Sequence, residues 1–421
     1  MPTIKFITLG CKVNQYETQA IREQFKKAGY QEEELFAPAD AYLINTCTVT
    51  NKADSESLYY VRNSLRQNPQ AKIIVTGCLT EHDARKISQI DCRIIIIRNK
   101  DKYRIASLLV KGASTKDEGI SDFKGHTRAF LKIQDGCDNF CSYCKVPLVR
   151  GSSRSKSWNR IIQEAQRLVR QGFKEIVLTG ICLGSYGKDL GKGRGRDLVS
   201  VIEELEKIEG LLRIRLSSIE FKYVSSRLLR KMQVSTKLCR HLHMPMQSGD
   251  NNILKAMNRK YTAEDFLVMV NRIKKILPGV AITTDILVGF PLEEEGNFLN
   301  TLELVKKIKP LKVHIFPYSP RPGTKACKLA QKNKPGIVKE RILRLRQAAQ
   351  ACCRDYLKDF IGKKKRVLFE ARIKERPYFW QGYTDNYIHV YLKSSDDLSN
   401  KFLNVRLLKV HLDSLEAVLD K

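Results

Sequence analysis

The first hundred residues alternate between short apolar runs and longer amphipathic stretches. The apolar runs predict strands and the amphipathic stretches predict helices, with Gly29 and the Asn68-Pro69 pair ending two of those helices. In chain order the predicted elements are a strand Lys5 to Leu9, a helix Asn14 to Ala28, a strand Ala41 to Thr46, a helix Lys52 to Arg66, and strands Lys72 to Thr76 and Arg93 to Ile97. Strands joined by helices predict a doubly wound parallel sheet, which we assign to a first α/β domain, residues 1–110.

A polar stretch with Gly and Ser, residues 111–125, predicts a linker, and beyond it the alternation resumes. Candidate strands in this second part are Ala129 to Ile133, Glu175 to Leu178, Arg213 to Ser217, His241 to Met244, Ala281 to Val288 and Lys312 to Phe316, with helices between them such as Ile161 to Arg170 and Ala263 to Ile276. Six βα units are too few for an eight-unit barrel. We therefore expect an open partial (βα)6 barrel over residues 126–360.

The pattern changes again after Gly362, where short strands replace the βα alternation. A long basic helix, Pro335 to Phe360, precedes them. The predicted strands are Arg366 to Arg372, Tyr387 to Leu392 and Asn404 to His411. Short strands spread over about 60 residues predict a small β-barrel, residues 361–421.

Charge narrows the range of partners. The chain has 75 Lys and Arg against 45 Asp and Glu, which is a net charge of +30. Each phosphate that a basic surface neutralises releases counterions, so this excess favours a nucleic acid partner. A general solubility bias is the alternative explanation.

Hydropathy and cysteine content indicate the compartment. No run approaches the roughly 20 apolar residues that span a bilayer, and the apolar stretch near the N-terminus is too short for a signal peptide. We therefore expect no membrane contact and a cytoplasmic location. In a reducing compartment, the 12 cysteines indicate metal binding or catalysis rather than disulfides.

Three cysteines are closely spaced in the loop that follows the first strand of the predicted barrel. The loop reads Gly136-Cys137-Asp138-Asn139-Phe140-Cys141-Ser142-Tyr143-Cys144. A 4Fe-4S cluster normally takes four thiolates, so three leave one iron open. That iron can bind the amine and carboxylate of S-adenosylmethionine, which such a cluster cleaves to a radical. A zinc site and buried structural thiols are the alternatives; zinc needs a fourth ligand, and the nearest downstream candidate, Cys182, is distant in sequence.

A second set of three cysteines is dispersed through the first domain. Cys11, Cys47 and Cys78 each come directly after a predicted parallel strand. Open α/β sheets bind ligands just outside the carboxyl ends of their strands, so these thiols converge at one edge. They predict a second cluster, again with one iron open, and the alternative is three small residues of the core. Core packing is also the default interpretation for the other six: Cys92, Cys182, Cys239, Cys327, Cys352 and Cys353.

Together these features resemble the methylthiotransferase family of radical S-adenosylmethionine enzymes over nearly the whole chain. That family combines an N-terminal domain with three separated cysteines, a CxxxCxxC domain and a C-terminal domain of the TRAM type. The supporting motifs are Thr8-Leu9-Gly10-Cys11-Lys12-Val13-Asn14-Gln15-Tyr16-Glu17, Val149-Arg150-Gly151, Leu178-Thr179-Gly180, His241-Leu242-His243-Met244-Pro245-Met246-Gln247-Ser248-Gly249, Thr284-Asp285, Gly289-Phe290-Pro291 and Pro317-Tyr318-Ser319. One departure is Leu292, at a position where the family commonly has Gly.

The resemblance implies two 4Fe-4S clusters and S-adenosylmethionine as cofactors. The compact cysteine set would generate a deoxyadenosyl radical, and the dispersed set would hold or donate sulfur at its open iron. The product would be a methylthio group on carbon 2 of an adenine, with its methyl group from a second S-adenosylmethionine. The Cys-Lys-Val-Asn-Gln stretch is most similar to the branch that acts on N6-threonylcarbamoyladenosine next to the anticodon.

The partners implied by the resemblance are the anticodon arm of a tRNA and a low-potential electron donor of the flavodoxin or ferredoxin type. The sulfur donor is unknown. The alternatives within the family are isopentenyladenosine in tRNA and a ribosomal protein, and the net charge of +30 argues against a basic protein substrate. A non-catalytic metal-binding RNA module is the alternative from a different class.

Six residues are predicted to contact S-adenosylmethionine, although each also suits a structural role. They are Arg150, Gly180, Ser218, Gln247, Asp285 and Gly289, most of which follow or end barrel strands, where active-site residues sit. The two glycines allow close approach of the cofactor, and Arg150 can pair with a carboxylate through two parallel hydrogen bonds. His241 and His243 share one face of a strand, and packing or a pocket wall is the preferred interpretation for both.

A basic run at the entry to the small barrel is the predicted RNA contact. It consists of Lys363, Lys364, Lys365 and Arg366. Small barrels grip nucleic acid through a basic face with interleaved aromatic residues. Phe379, Trp380, Tyr383 and Tyr387 either stack on exposed bases or form the core of the barrel, and a charge run is often only a solvated face.

Overall fold

The computed structural model describes residues 1–34, 37–110, 119–191, 195–329 and 333–420. Its first region is a parallel sheet with the strand order β2-β1-β3-β4-β5. The elements of this region are β1 (Thr3–Thr8), α1 (Lys12–Lys27), β2 (Gln31–Glu32), β3 (Ala41–Thr46), α2 (Asn51–Gln67), β4 (Lys72–Gly77), α3 (Cys78–His82), α4 (Ala84–Ser88), β5 (Ile95–Ile96) and α5 (Ile105–Leu109).

Helices cover both faces of this sheet because alternate residues of each strand point in opposite directions. On one face Leu43 packs with Ile21 of α1. On the other face Tyr42 and Ile44 pack with Val61 of α2. The doubly wound sheet predicted from the sequence is confirmed, and the predicted strand at 93–97 is shortened to the two residues of β5.

The second region contains six parallel strands. Its elements are β6 (Arg128–Asp135), α6 (Val146–Arg150), β7 (Arg154–Ser155), α7 (Trp158–Arg170), β8 (Glu175–Gly180), α8 (Leu198–Glu206), β9 (Arg213–Leu216), α9 (Ser226–Val234), β10 (His241–His243), α10 (Asn251–Ala256), α11 (Ala263–Ile276), β11 (Ala281–Val288), α12 (Glu295–Ile308) and β12 (Lys312–Pro317). One sheet has the order β7-β6-β8-β9 and the other β10-β11-β12. A parallel bridge between Ser218 and His243 joins them, which gives the six-unit βα run predicted from the sequence.

The strands of the second region have one apolar face and one polar face. Ile176, Ile214, Leu242 and Ile282 belong to a single core that the helices complete. Residues at the alternate positions lie on the other side of the strands, which we call the inner face. Its charged residues and histidines are Arg128, Lys132, Glu175, Arg213, Arg215, His241, His243, Asp285, Lys312 and His314.

The last region is a closed barrel with the strand order β13-β14-β15-β17-β16. Its elements are α13 (Pro335–Lys358), β13 (Lys364–Ile373), β14 (Arg376–Thr384), β15 (His389–Lys393), β16 (Phe402–His411) and β17 (Ser414–Leu419). Two of these strands were not predicted. The sequence did not indicate β14 because its first residues are exposed and lack an apolar alternation. It did not indicate β17 because the Leu-Glu-Ala segment suits a helix as well as a strand.

The small barrel docks on arginines of the inner face. Arg215 donates to the carbonyl oxygen of Thr384 at 3.0 Å, and Arg213 donates to that of Tyr383 at 2.9 Å. Arg128 pairs with Glu370 of β13 at 2.5 Å. These contacts make the barrel close one end of the inner face.

Domain limits at 110, 125 and 360 stay predictions, and residues 111–118 of the predicted linker lie outside the described residues. Within the described ranges, the structure has no helix long and apolar enough to cross a membrane.

Candidate active site

The compact cysteine set, Cys137, Cys141 and Cys144, lies in the loop between β6 and α6, and all three residues are half-buried. The loop is held at both ends. The Cys137 N–H donates to the Gly151 carbonyl at 3.0 Å, and the Cys144 N–H donates to the Cys141 carbonyl at 3.0 Å. Ser142 donates through its hydroxyl to the Ala256 carbonyl at 2.7 Å, which ties the loop to α10. The three thiols therefore have a position set by the fold.

A buried arginine faces this loop, and the sequence did not indicate it. Arg259 Nη1 lies 3.3 Å from Cys141 Sγ, and the same guanidinium pairs with Glu220 at 2.5 Å. Burial raises the pKa of the Cys144 thiol to about 12. A metal core favours the thiolate form, and a cation such as Arg259 further stabilises sulfur that carries negative charge. The donor set therefore fits a metal cluster.

Cys182, assigned to core packing by default, lies beside the compact set. It is buried, and its thiol lies close enough to that of Cys137 for each to influence the ionisation of the other. Its N–H donates to Gln134 Oε1 at 2.7 Å, and the Asn139 amide lies 3.6 Å from its sulfur. The two cysteines are far apart in the sequence, so their spacing did not indicate this contact. They are neighbours because β6 pairs directly with β8.

The dispersed cysteine set, Cys11, Cys47 and Cys78, follows three adjacent strands, β1, β3 and β4. Cys47 and Cys78 are buried, whereas Cys11 is exposed. The three sulfurs are close enough to influence each other's ionisation, and burial raises the pKa of Cys47 to about 11. As at the compact set, a metal core favours the thiolates that burial opposes. The three cysteines follow neighbouring strands at one edge of the sheet, and their role as ligands of one cluster stays a prediction.

A glycine makes room for this convergence. Gly10 has φ of +92°, and a Cβ there would lie 2.8 Å from both Cβ and Sγ of Cys47. Any side chain would therefore be strained in its backbone and would collide with a thiol. The Gly-Cys pair after β1 is a geometric requirement of the dispersed set.

A buried ion network connects the regions that carry the two cysteine sets. Glu17 of α1 pairs with Lys102 at 2.5 Å, with Lys132 at 2.6 Å and with Arg150 at 3.0 Å. Arg150 and Lys132 also pair with Asp135, at 3.0 and 2.7 Å. Although burial opposes ionisation of Glu17, its three cations hold its pKa well below the usual value. The network fastens the first region to β6 and α6.

Arg150 has a different environment from the other residues predicted to contact the cofactor. Besides Glu17 and Asp135, it donates to Asn14 Oδ1 at 2.6 Å, and it is 5% exposed. It lies within electrostatic reach of Cys78. Its guanidinium is therefore engaged by the protein, and its contact with a cofactor carboxylate stays a prediction.

The other five predicted residues lie near the carboxyl ends of β8 to β11. Ser218 bridges to His243, and Gln247, with φ of 70°, bridges to Ile286. The remaining three are Gly180, Asp285 and Gly289. Leu292, where the family commonly has Gly, has φ of 73°, in the left-handed region that favours glycine. The structure brings the five residues to one end of the strands, and their contacts with S-adenosylmethionine stay predictions.

The inner face holds a polar cluster that the histidine spacing did not suggest. One nitrogen from His243, one from His314 and one oxygen from Asp285 lie within 4.8 Å of one another. His243 Nε2 is 3.1 Å from Asp285, and its Nδ1 is 2.8 Å from Thr283 Oγ1. The alternation His-Leu-His in the sequence places His241 and His243 on one face of β10. The partners on that face come from β11 and β12, which pair next to it, and the sequence does not show this pairing.

The predicted RNA contacts lie at the start of β13. Lys364 pairs with Asp420 at 2.7 Å, and Lys365 pairs with Asp385 at 3.2 Å. Lys363 lies over the ring of Phe360, and Arg366 over that of Phe402. Of the aromatic candidates for base stacking, Trp380 is part of the barrel core, and Tyr383 stacks on Tyr387.

Both large regions match known families. Residues 3–97 match the model described as uncharacterized protein family UPF0004, and residues 131–305 match the radical SAM superfamily. The fold resembles that of the radical S-adenosylmethionine methyltransferase TsrM from Kitasatospora setae, with a TM-score of 0.52 and 12% identity over 77% of this chain and 76% of that one. The cobalamin-dependent S-adenosylmethionine radical enzyme OxsB gives a TM-score of 0.51 at 11% identity, over 82% of this chain and 56% of that one. The chain therefore combines a radical SAM domain with an N-terminal sheet of the UPF0004 family.

Full-length relatives define the family more closely. The chain is 39% identical to the threonylcarbamoyladenosine tRNA methylthiotransferase MtaB of Bacillus subtilis (strain 168), in an alignment of 428 positions that covers 97% of this chain and 94% of the relative. It is 36% identical over 408 residues to the protein of the same name in Thermotoga maritima, with 93% and 91% covered. The tRNA-2-methylthio-N(6)-dimethylallyladenosine synthase of Acetivibrio thermocellus is 34% identical in an alignment of 432 positions that covers 97% of this chain and 89% of the relative. This chain belongs to the methylthiotransferase family.

Proposed function

We propose that this protein is a tRNA methylthiotransferase that replaces the C2 hydrogen of N6-threonylcarbamoyladenosine, next to the anticodon, by a methylthio group. The observation that carries the proposal is the position of two cysteine sets on either side of one buried ion network. Arg150 ends α6, the helix after Cys144, and lies within electrostatic reach of Cys78. Two metal centres held by regions that one ion network fastens together would be able to act in one reaction.

The six cysteines are the proposed ligands of two 4Fe-4S clusters, three for each. When bound, the clusters and S-adenosylmethionine would supply radical chemistry: the hydrogen of the C2–H bond would leave in 5′-deoxyadenosine, sulfur held at the dispersed set would take its place, and a second S-adenosylmethionine would give the methyl group. The protein holds its ligands in place through the loop contacts of the compact set and the strand ends of the dispersed set. Arg259 beside Cys141 stabilises negative charge on the sulfur.

The choice of tRNA base rests on the relatives. Those with 39% and 36% identity are named for threonylcarbamoyladenosine, and one with 34% is named for dimethylallyladenosine. The net charge of +30 suits a tRNA anticodon arm. A low-potential donor of the flavodoxin or ferredoxin type is the proposed source of electrons, and tRNA with such a donor implies a cytoplasmic reaction.

Anaerobic reconstitution followed by nucleoside mass spectrometry tests the proposal. We expect close to eight irons per chain, as two 4Fe-4S clusters require, and 2-methylthio-N6-threonylcarbamoyladenosine from tRNA that carries the threonylcarbamoyl group. The control is the same tRNA with unmodified adenosine. Methylthiolation of isopentenyladenosine instead would assign the chain to the other branch, and bound zinc without iron would overturn the enzyme assignment.

A further inference from the structure

One lysine from the first region reaches the inner face of the second. Lys12 is the first residue of α1 and is exposed. Its ammonium lies 5.8 Å from the ring centroid of Phe130 on β6. It is within electrostatic reach of Tyr387, Arg128, Arg215 and Asp285. Lys12 therefore faces residues of both the inner face and the small barrel, and the space next to its side chain is accessible to solvent.

Three other cations of this face are already neutralised. Arg128 pairs with Glu370 at 2.5 Å, and Arg215 pairs with Glu175 at 2.7 Å. Lys132 pairs with Glu17 and Asp135. Lys12 has neither an ion pair nor a hydrogen bond from its ammonium to any residue in the described ranges. Together with the exposed Lys312 of β12, it is a cation of this face that is left to meet an anion from outside the chain.

Helix stability does not account for a lysine at this position. The first turn of a helix carries the positive end of its dipole, where a cation is unfavourable by a few tenths of a kcal/mol or more. The first turn of α1 contains no acidic residue that would compensate, and Cys11 makes no side-chain capping hydrogen bond. Lys12 therefore opposes the local preference of the helix, as functional residues often do.

Hydrogen-bonding groups surround the same space. His314 is exposed on β12, with its ring centroid 5.5 Å from that of His243. His241 is 4% exposed, and its Nδ1 has no hydrogen-bond partner among the described residues. Lys12 contributes to the electrostatic environment of His241 and His314. The space suits a ligand that carries both a negative charge and polar groups.

Resting on the proposed function, we infer that Lys12 is a specificity-determining residue whose ammonium binds the carboxylate of the threonylcarbamoyl group. That substituent carries a carboxylate, a hydroxyl and a urea, whereas an isopentenyl substituent has no polar group. A site with a cation and polar groups favours a substituent that pairs with them over one that leaves them unpaired. Lys12 directly follows Cys11, a proposed ligand of the second cluster, so the bound substituent and that cluster share one end of α1.

Kinetics on two matched RNAs test this inference in the reconstituted, full-length enzyme. One anticodon stem-loop carries N6-threonylcarbamoyladenosine, and the other carries its carboxylate methyl ester at the same position. The variants are Lys12→Met, which removes the charge, and Lys12→Arg, which keeps it. Lys26→Met, an exposed lysine at the opposite end of α1, is the control.

We expect Lys12→Met to raise KM for the carboxylate RNA about 10- to 100-fold, as for the loss of a charge-assisted hydrogen bond. The KM for the ester should change less than about 3-fold, Lys12→Arg should stay near wild type, and Lys26→Met should have no effect. An equal loss on both RNAs would overturn the inference, and so would iron loss or diminished deoxyadenosine release in Lys12→Met. A wild-type enzyme that modifies neither RNA would overturn the proposed function itself, together with the inference that rests on it.

Discussion

The two cysteine sets reach similar arrangements by different physical means. The compact set, Cys137, Cys141 and Cys144, lies in one loop whose hydrogen bonds run to Gly151 and to α10. The dispersed set depends on the pairing of β1, β3 and β4, and on Gly10, which leaves space beside Cys47. The compact set is therefore held within one loop, whereas the dispersed set exists only when the strands of the sheet are paired. A substitution that disturbs the sheet of the first region should therefore affect the dispersed set more than the compact set.

The largest expected effect is in the compact set. Cys141→Ala removes one of three thiolates and the contact with Arg259, so we expect deoxyadenosine release under dithionite to fall to background. Cys92→Ala, an exposed cysteine outside both sets, is the control. Undiminished release from Cys141→Ala would mean that this loop does not hold the radical cluster.

Loss of the dispersed set should separate two activities. With Cys11, Cys47 and Cys78 all replaced by Ala, we expect deoxyadenosine release to persist and methylthiolation of tRNA to stop. Iron content should fall by about half, because each cluster holds four irons. Methylthiolated tRNA from this triple variant would remove the dispersed set from the chemistry, and loss of deoxyadenosine would show that the two sets are not independent.

The ion network joins the two regions but contains no cysteine of either set. A substitution in it therefore tests how much the contact between the regions contributes to stability. Glu17→Gln leaves Lys102, Lys132 and Arg150 short of a buried carboxylate, so we expect a loss of about 3–5 kcal/mol in the free energy of unfolding. Glu56→Gln, at an exposed ion pair, should cost less than about 1 kcal/mol. Anaerobic thermal unfolding of both variants measures the difference, and equal melting temperatures would contradict it.

The stability that this network contributes should depend on pH. The pKa of Glu17 is depressed in the folded protein, so its stabilisation is complete above the usual carboxyl pKa of about 4.3 and is lost as pH falls below that value. The advantage of wild type over Glu17→Gln should therefore shrink in acid. An advantage that instead grows below this pH would show that Glu17 is protonated in the folded state.

The smallest expected effect is at the basic run. Replacing Lys363, Lys364, Lys365 and Arg366 by Ala should lower the affinity for all tRNAs to a similar extent, because phosphate contacts position a nucleic acid without reading its bases. Two of the four already pair with carboxylates, so the slope of log affinity against log salt should flatten by about 1.5 units, below the roughly 3 that four free contacts allow. Binding across a salt series measures this, with deoxyadenosine release without tRNA as the unchanged control. An unaltered slope would make the run a solvated face.

Local signals in the sequence were sufficient for the parts of the molecule that depend on near neighbours. The spacing of Cys137, Cys141 and Cys144 implies a shared ligand because a short loop cannot separate them far. The dispersed cysteines were recognisable because the carboxyl ends of neighbouring parallel strands always meet at one edge. Hydrophobic periodicity was enough for the order of the βα units, and it failed at β14 and β17, whose exposed or helix-compatible residues carry little strand signal.

Only the tertiary structure decided which distant side chains meet. Glu17 reaches Lys102, Lys132 and Arg150 because α1 lies against β6, and Cys182 lies beside Cys137 because β6 pairs with β8. Neither contact has a signature in spacing or composition, since it depends on the angle at which two elements pack. Lys12 shows the same limit: its charge is plain in the sequence, but only the folded chain shows that no carboxylate among the described residues pairs with it.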